Sequence, residues 1–272
     1  MTSKKISVTE NESTEIIEAT EKAAIKQKGF MGFFRGMSLT VKLTIAILFC
    51  GCIALFSTIA FFAHTNSLKA SAAEYDFLRE FAGDIISGSG SSDFTHLSAL
   101  DQEMLQINPD YVFWIRVDGT SIAYPVVQGS DNVKYLNTSF YGEPNKAGTV
   151  FMDFRNIGDS LKHTIIYGHN LQQGGMFTDL HKFLNPRFLE ENNIITLIVN
   201  DHIVEFKIFS ARLTDVNDPA YNLALSTPRL FARFADSIGA PIQATQIITL
   251  STCVSTGNDD ARMIVQGYRI FR

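Results

Sequence analysis

The chain has 272 residues, of which 46% are hydrophobic, and a formal net charge of -5 at pH 7. The charge is mild and no basic stripe is present, so the composition excludes the electrostatic footprint of a nucleic-acid-binding protein. Three cysteines cannot build a disulfide framework. The sequence contains no glycine-rich phosphate loop, no Cys/His cluster at zinc spacing and no EF-hand-like loop, so we expect neither a cofactor nor a metal site.

The first predicted element is a transmembrane helix over residues 43–63, a stretch with no charged residue. At about 1.5 Å per residue it is long enough to cross a hydrocarbon core of roughly 30 Å. The charged residues nearest before the stretch are all basic, whereas those after it are of mixed sign. By the positive-inside rule, residues 1–42 form a cytoplasmic tail and residues 64–272 lie outside the cell, held to the membrane by one span.

A cleaved signal peptide is the alternative to this anchor, because Ala70, Ser71 and Ala72 have the small-x-small form that a signal peptidase accepts. The apolar stretch is longer than the roughly 7 to 15 residues of a signal-peptide core. The candidate cleavage site also lies well beyond the end of the stretch. Both features favour a retained anchor.

Residues 64–110 are predicted to form a stalk and two helices packed on the external domain. Apolar residues at helical spacing run from Tyr75 to Ile86, and a glycine- and serine-rich break follows them. The second helix is predicted over residues 95–107. Pro109 ends it, since the residue before a proline disfavours helical backbone.

From residue 111 onward, β-branched and aromatic runs separated by turn residues predict a mostly β domain over residues 111–272. About eight short strands with few helices between them favour a closed or nearly closed barrel over alternating βαβ units. Helical insertions are predicted over residues 175–183 and 227–237. The predicted strands are residues 112–117, 121–127, 149–152, 164–167, 194–199, 203–210, 247–252 and 263–271.

Cys253 is the candidate nucleophile, because it is the one cysteine of the external portion and directly follows a predicted strand. An unpaired thiol in an exported domain is open to oxidation, and it needs a base or a positive neighbour to react usefully. His169 follows the predicted strand 164–167, at a position that exposes its side chain at a barrel rim. The alternatives are a buried apolar role for Cys253 and a surface or capping role for His169.

Arg262 is the third candidate, since a hairpin between the last two predicted strands would bring its guanidinium back to Cys253. Acyl transfer requires donors aimed at the developing oxyanion, and a guanidinium supplies them. The alternative is an ion pair between Arg262 and Asp259 or Asp260.

These motifs together resemble the sortases, membrane-anchored cysteine transpeptidases of Gram-positive bacteria. The similarity rests on the residues from Thr249 to Cys253, on Asp260-Ala261-Arg262, and on Tyr167-Gly168-His169-Asn170. The segments 124–128 and 131–137 are similar to class B members, and the resemblance covers residues 73–272. It implies an eight-stranded sortase barrel whose cleft accepts an extended sorting peptide near the carboxyl terminus of a substrate protein.

The resemblance also implies a role for each candidate residue. Cys253 attacks the threonine carbonyl of the sorting signal, His169 exchanges protons with the amines, and Arg262 steadies the oxyanion or the peptide backbone. The implied partners are surface proteins or pilins that carry the signal, and an amine from peptidoglycan or a pilin lysine. Residues implied to line the peptide groove are Asn132, Leu136, Tyr167, Ser251 and Tyr221.

The loop after Cys253 departs from the family pattern, because residues 254–258 lack the more acidic and aromatic side chains found there in class B sortases. The sequence of the sorting signal therefore stays open. Two other functions also stay open at this point. An extracellular cysteine hydrolase would use the same Cys253 and His169 but transfer the acyl group to water, and a non-catalytic binding module would not need the thiol.

Overall fold

The computed structural model describes residues 36–87, 95–157, 162–171, 174–200, 202–254 and 259–271. Its helices are α1 (Leu39–Ser87), α2 (Thr95–Ile107), α3 (Pro186–Glu191) and α4 (Pro228–Ser237). Its strands are β1 (Tyr111–Val117), β2 (Ala123–Val127), β3 (Phe151–Met152), β4 (His163–Tyr167), β5 (Ile194–Val199), β6 (His202–Asp215), β7 (Ile247–Cys253) and β8 (Ala261–Ile270). Short 3-10 turns cover Lys134–Leu136, Thr178–Leu184 and Pro219–Tyr221.

The eight strands form one closed barrel in the order β1-β2-β3-β4-β7-β8-β6-β5, with β5 pairing back to β1. The expectation of an eight-stranded barrel is confirmed. Six of the eight strand pairs are antiparallel, whereas β2 with β3 and β4 with β7 are parallel. In the second parallel pair Tyr167 lies beside Ser251. Parallel pairing places the carboxyl ends of both strands at the same rim, so the residues that follow β4 and those that end β7 are neighbours.

The barrel interior is filled by large apolar side chains, and the largest of those with under 2% exposure include Trp114, Tyr124 and Ile115. In β7 every residue is buried except the last, Cys253. Both faces of β7 are therefore covered by protein along its length. Only its last residue, Cys253, at the rim of the barrel, is exposed to solvent.

The contacts divide the chain into two units, one ending at His64 and one over Thr65–Arg272. Within the second unit, Leu78 of α1 is buried, and the Tyr75 hydroxyl donates to the Gly148 carbonyl at 2.6 Å. The bounds of α2 agree with the predicted residues 95–107. The sequence predicted separate helices for the anchor and for the residues after Tyr75, but the structure runs both in the single helix α1.

Several boundaries differ from those predicted. Strand β6 continues to Asp215 instead of ending at residue 210, because β8 pairs with it as far as Ala261 after a register shift between Ile208 and Ser210. Strand β3 is only two residues long. The predicted helix over residues 175–183 is a 3-10 turn followed by α3, and Asn185 caps α3 by accepting from the Arg187 amide.

Candidate active site

Cys253 is exposed at the end of β7 while Ser251 and Thr252 just before it are buried. The alternative of a buried structural cysteine is therefore wrong. In the hairpin formed by β7 and β8, Cys253 is the cross-strand partner of Arg262, as the sequence predicted. The Arg262 side chain donates through Nη1 to the backbone carbonyls of Asp259 at 2.5 Å and Ala261 at 2.9 Å.

His169 follows β4 by two residues, and its Nε2 lies 2.7 Å from the Leu136 carbonyl oxygen. A carbonyl only accepts hydrogen bonds, so Nε2 carries the hydrogen. In the neutral imidazole Nδ1 is then the unprotonated nitrogen. The contact fixes both the ring orientation and the tautomer of His169.

The loop that contains Leu136 is held in place by side-chain hydrogen bonds. The Asp131 carboxylate accepts from the backbone amides of Val133 and Lys134, both at 2.8 Å. These two hydrogen bonds lower the pKa of Asp131. Tyr135 is buried, and its hydroxyl donates to Asp110 at 2.7 Å.

A cavity of about 190 Å³ collects most of the predicted site residues. It contains all three catalytic candidates and four of the five groove candidates. The sequence reasoning missed three members of the wall, Phe151, Gly168 and Thr252. At Gly168 a Cβ would lie 2.7 Å from the Phe177 ring, so the fold leaves no room for a side chain there. The cavity is lined by Asn132, Leu136, Phe151, Tyr167, Gly168, His169, Ser251, Thr252, Cys253 and Arg262.

Tyr221, the fifth groove candidate, does not line this cavity but contacts its wall. Its hydroxyl lies 2.8 Å from the Ser251 Oγ. Burial raises the pKa of Tyr221, while the hydrogen bond to Ser251 and the positive charge of Arg262 act in the opposite direction. Tyr221 therefore lies within electrostatic range of the catalytic candidates.

Tyr167, which lines the cavity, is hydrogen-bonded to the buried carboxylate of Asp153. Its hydroxyl donates to the Asp153 Oδ2 at 2.9 Å, and Arg155 forms a salt bridge with the same carboxylate at 2.7 Å. Burial alone would raise the pKa of Asp153, but hydrogen bonds from Arg155 and Tyr167 lower it below its ordinary value. Burial and then the negative charge of Asp153 raise the pKa of Tyr167, which remains a neutral donor at physiological pH.

A larger cavity of about 480 Å³ lies near the amino-terminal ends of β4 and β7, where His163, Leu225, Phe231 and Thr245 are among its lining residues. None of the predicted site residues lines it. Size alone therefore does not mark the reactive site. Within the described residues, no group of three or more His, Cys, Asp or Glu side chains could hold a metal ion.

Comparison with known proteins agrees with this geometry. The family model described as the sortase domain matches residues 115–270. The chain belongs to the sortase family. It is 33% identical to sortase B of Staphylococcus aureus over 187 residues, covering 65% of this chain and 77% of that protein. It is 32% identical to sortase B of Listeria monocytogenes over 180 residues, covering 61% and 72%.

Solved structures show the same similarity. A Staphylococcus aureus sortase B–substrate complex is 30% identical, with a TM-score of 0.64 and coverage of 74% of this chain and 97% of that one. Sortase B of Clostridium perfringens is 30% identical, with a TM-score of 0.59 and coverage of 63% and 100%. The chain is thus a sortase cysteine transpeptidase, and it is most similar to class B members.

Proposed function

We propose that this sortase is anchored in the membrane, cleaves a carboxyl-terminal sorting signal with Cys253, and transfers the cleaved protein to an amine outside the cell. The observation that supports it best is the single cavity shared by an exposed thiol, an oriented imidazole and a guanidinium. The family relation supplies the transpeptidase chemistry, and the geometry suggests which residues perform it.

In the first step, the Cys253 thiolate attacks the carbonyl carbon of the scissile peptide bond. The carbon–nitrogen bond breaks, the leaving amine takes a proton from the protonated His169, and a thioester joins Cys253 to the substrate. Because Nε2 of His169 donates to Leu136, Nδ1 is the nitrogen that gives this proton. His169 ends the step neutral.

In the second step, the acceptor amine attacks the thioester and passes a proton to Nδ1 of His169. The carbon–sulfur bond breaks, so that Cys253 leaves as a thiolate and the new amide is released. Both steps pass through a tetrahedral intermediate with a negative oxygen. Arg262, the cross-strand partner of Cys253, is the positive group placed to stabilise that oxygen or to hold the peptide backbone.

The peptide groove is formed by the walls around the thiol. Asn132, Leu136, Tyr167 and Ser251 line the cavity, and Tyr221 extends the wall beyond Ser251. Asn132 is fixed by accepting from the Phe154 amide at 3.0 Å, so it is a preorganised part of the wall. Such rigid polar groups suit the recognition of an extended peptide.

The membrane anchor is proposed over residues 43–63, with residues 1–42 in the cytoplasm and the barrel outside. Among the described residues, one helical segment, Leu39–Ile59, is long and apolar enough to span a membrane. Its apolar side chains are exposed, including Ile47 at 70% and Phe56 at 76%. The acceptor is an amine of peptidoglycan or of a pilin lysine, and the donors are the surface proteins or pilins that bear the signal.

The proposal is tested by profiling a library of sorting-signal peptides with the full-length protein in detergent, with and without added amines. We expect cleavage of a narrow set of threonine-containing signals and an amide product when an amine is present. Water as the acceptor under all conditions would instead establish a hydrolase. No cleavage of any signal by a protein whose thiol is intact would contradict the proposal.

A further inference from the structure

Four neighbouring strands of the barrel carry a row of hydrogen-bonded side chains, one from each strand, which we call the polar row. It consists of His163 on β4, Thr249 on β7, Gln266 on β8 and Arg212 on β6. The first three are buried, with 3% exposure for His163 and none for Thr249 and Gln266. Buried polar side chains are costly unless they are fully paired, so this row calls for an explanation.

The hydrogen bonds of the polar row run in one direction. Arg212 Nη1 donates to Gln266 Oε1 at 2.6 Å, and Gln266 Nε2 donates to Thr249 Oγ1 at 3.1 Å. Thr249 Oγ1 lies 2.8 Å from His163 Nε2, and His163 Nδ1 lies 3.0 Å from the Asn222 carbonyl oxygen. Since that carbonyl only accepts, His163 donates from Nδ1 and accepts from the Thr249 hydroxyl.

Both ends of the polar row hold the same short piece of chain. At one end, Arg212 Nη2 donates to Asp218 Oδ1 at 2.7 Å. At the other end, His163 donates to Asn222. The anchored piece, residues 218–222, lies in the connection between β6 and β7 and includes the 3-10 turn Pro219–Tyr221.

Asp218 is the junction between the polar row and this turn. Its Oδ1 also accepts from the Ala220 amide at 2.8 Å, and its Oδ2 accepts from the Thr214 hydroxyl. The carboxylate side chain is 10% exposed. One carboxylate thus caps the turn and joins it to the barrel wall.

We propose that Asp218 and the polar row are a positioning device that holds Tyr221 against Ser251, so that Tyr221 forms a fixed wall of the peptide groove. The inference rests on the proposed function for the role of Tyr221 in binding the sorting peptide. Tyr221 is one of the three residues between the anchors Asp218 and Asn222, and its hydroxyl is hydrogen-bonded to Ser251, two positions before Cys253. Asp218, Arg212 and Gln266 act through Tyr221 and do not touch the peptide.

The test is a double-mutant cycle on the full-length protein, with Asp218→Ala, Tyr221→Ala and the double variant, measured as kcat/KM for the best sorting peptide. We expect each single variant to lose about tenfold, mainly through KM, within the range of up to about 10²-fold that a 1 Å misplacement can cost. The double variant should lose no more than Tyr221→Ala alone, because Asp218 acts only through that side chain.

The matched control is Asp215→Ala, which removes an exposed carboxylate at the end of β6 that caps only the Asn217 amide. It should keep the wild-type kcat/KM. Alkylation of Cys253 by a methanethiosulfonate reagent should proceed at the wild-type rate in all variants. If Asp218→Ala does not fold, Asp218→Asn keeps the Oδ1 acceptor for Ala220 and should show the same KM effect to a smaller extent.

Amide hydrogen exchange over residues 216–225 gives a readout that needs no turnover. Asp218→Ala should speed exchange at Ala220, Tyr221 and Asn222, whereas Tyr221→Ala should leave the Ala220 amide protected. Losses that multiply in the double variant, or unchanged exchange in Asp218→Ala, would overturn the positioning role. Failure of the proposed function itself would appear differently, because Cys253→Ala would then cleave the peptide as fast as the wild-type protein does.

Discussion

In His169 the two ring nitrogens have different surroundings, because Nε2 is bonded to the Leu136 carbonyl and Nδ1 is not. In the proposed mechanism, a fixed tautomer would keep Nδ1 available for proton exchange in both steps of transpeptidation. The loop that supplies the carbonyl is braced by Asp131 and by buried Tyr135. Among the residues that the structure describes, the imidazole is thus oriented by a backbone carbonyl rather than by a carboxylate.

Replacing His169 by alanine removes the proposed proton donor of the first step and the proton acceptor of the second. We expect kcat/KM for the sorting peptide to fall by about 10² to 10⁴-fold, the usual contribution of general acid–base catalysis. The measurement is peptide cleavage across pH 5 to 9, with thermal unfolding as the check on folding. Activity within a few-fold of the wild type would assign the proton transfer to another group.

Arg262 allows charge and geometry to be separated. Lysine keeps the positive charge but loses the planar fork of donors, so Arg262→Lys should lower turnover by about 10²-fold or more, as removal of an oxyanion donor does. Alkylation of Cys253 should stay close to the wild-type rate. If Arg262→Lys keeps full turnover while Arg262→Ala unfolds the domain, Arg262 is a structural residue of the loop after β7.

His163 makes the stability of the barrel depend on pH. Burial lowers its pKa to about 4, against weaker opposing effects of the Asn222 hydrogen bond and the Asp153 charge. Between about pH 6.5, where a free histidine titrates, and pH 4, the unfolded chain binds a proton that the folded protein does not. The contribution of neutral His163 to the free energy of unfolding should therefore be complete above about pH 6.5. It should fall by on the order of 3 kcal/mol as the pH drops to 4.

Urea unfolding at a series of pH values measures this dependence, with His163→Gln as the comparison. The variant should be less stable at pH 7 but should lose less stability between pH 6.5 and 4. Asp153 also loses stabilising interactions in acid, but its pKa is lowered, so its effect comes below about pH 4. Equal slopes for the two proteins between pH 6.5 and 4 would show that His163 does not control this window.

Among the secondary-structure elements, β4 and β7 create the site, because their parallel pairing brings His169 and Cys253 to one rim across 84 positions of sequence. The runs of β-branched residues predict both strands. The short loop between the last two predicted strands also predicts the hairpin that pairs Cys253 with Arg262. The pairing of β4 with β7 is not readable from local sequence. It follows from the resemblance to sortases, because contacts between distant segments leave no periodic signal.

Other features could be predicted only in part. Residues 64–74 contain neither proline nor glycine. The absence of a helix breaker there could have predicted that α1 is continuous. The polar row could not be predicted, because each of its members is an ordinary strand residue and the members come from four different strands. The members are His163, Thr249, Gln266 and Arg212. The Tyr167–Asp153 contact likewise depends on the folded loop after β3.

The long helix α1 carries a prediction about topology. Full-length protein expressed in cells should remain in the membrane fraction, with the barrel open to protease added from outside, because its exposed apolar segment fits a bilayer and the basic residues precede it. Cell fractionation and amino-terminal sequencing measure this. A mature amino terminus at Ala73 would instead establish signal cleavage and a released enzyme.

At the scale of the whole barrel, the thiol of Cys253, the imidazole of His169 and the guanidinium of Arg262 line one cavity at a rim, and the connections around that rim form the proposed peptide groove. The arrangement concentrates chemistry on the ends of β4, β7 and β8. Catalytic groups held by strand ends and braced loops need little rearrangement when the peptide binds. Under the proposed function, specificity would depend on the walls around Asn132, Leu136 and Tyr221.

Intact-mass spectrometry of the full-length protein mixed with its best sorting peptide, without an added amine, tests directly whether Cys253 is the nucleophile. We expect a mass increase equal to the amino-terminal part of the peptide, mapped to Cys253 and released by hydroxylamine as a thioester is. Cys253→Ala should show neither the adduct nor cleavage while retaining the fold, because the thiol lies at an exposed rim. Cleavage by Cys253→Ala at the wild-type rate, or an adduct on another residue, would contradict the assignment.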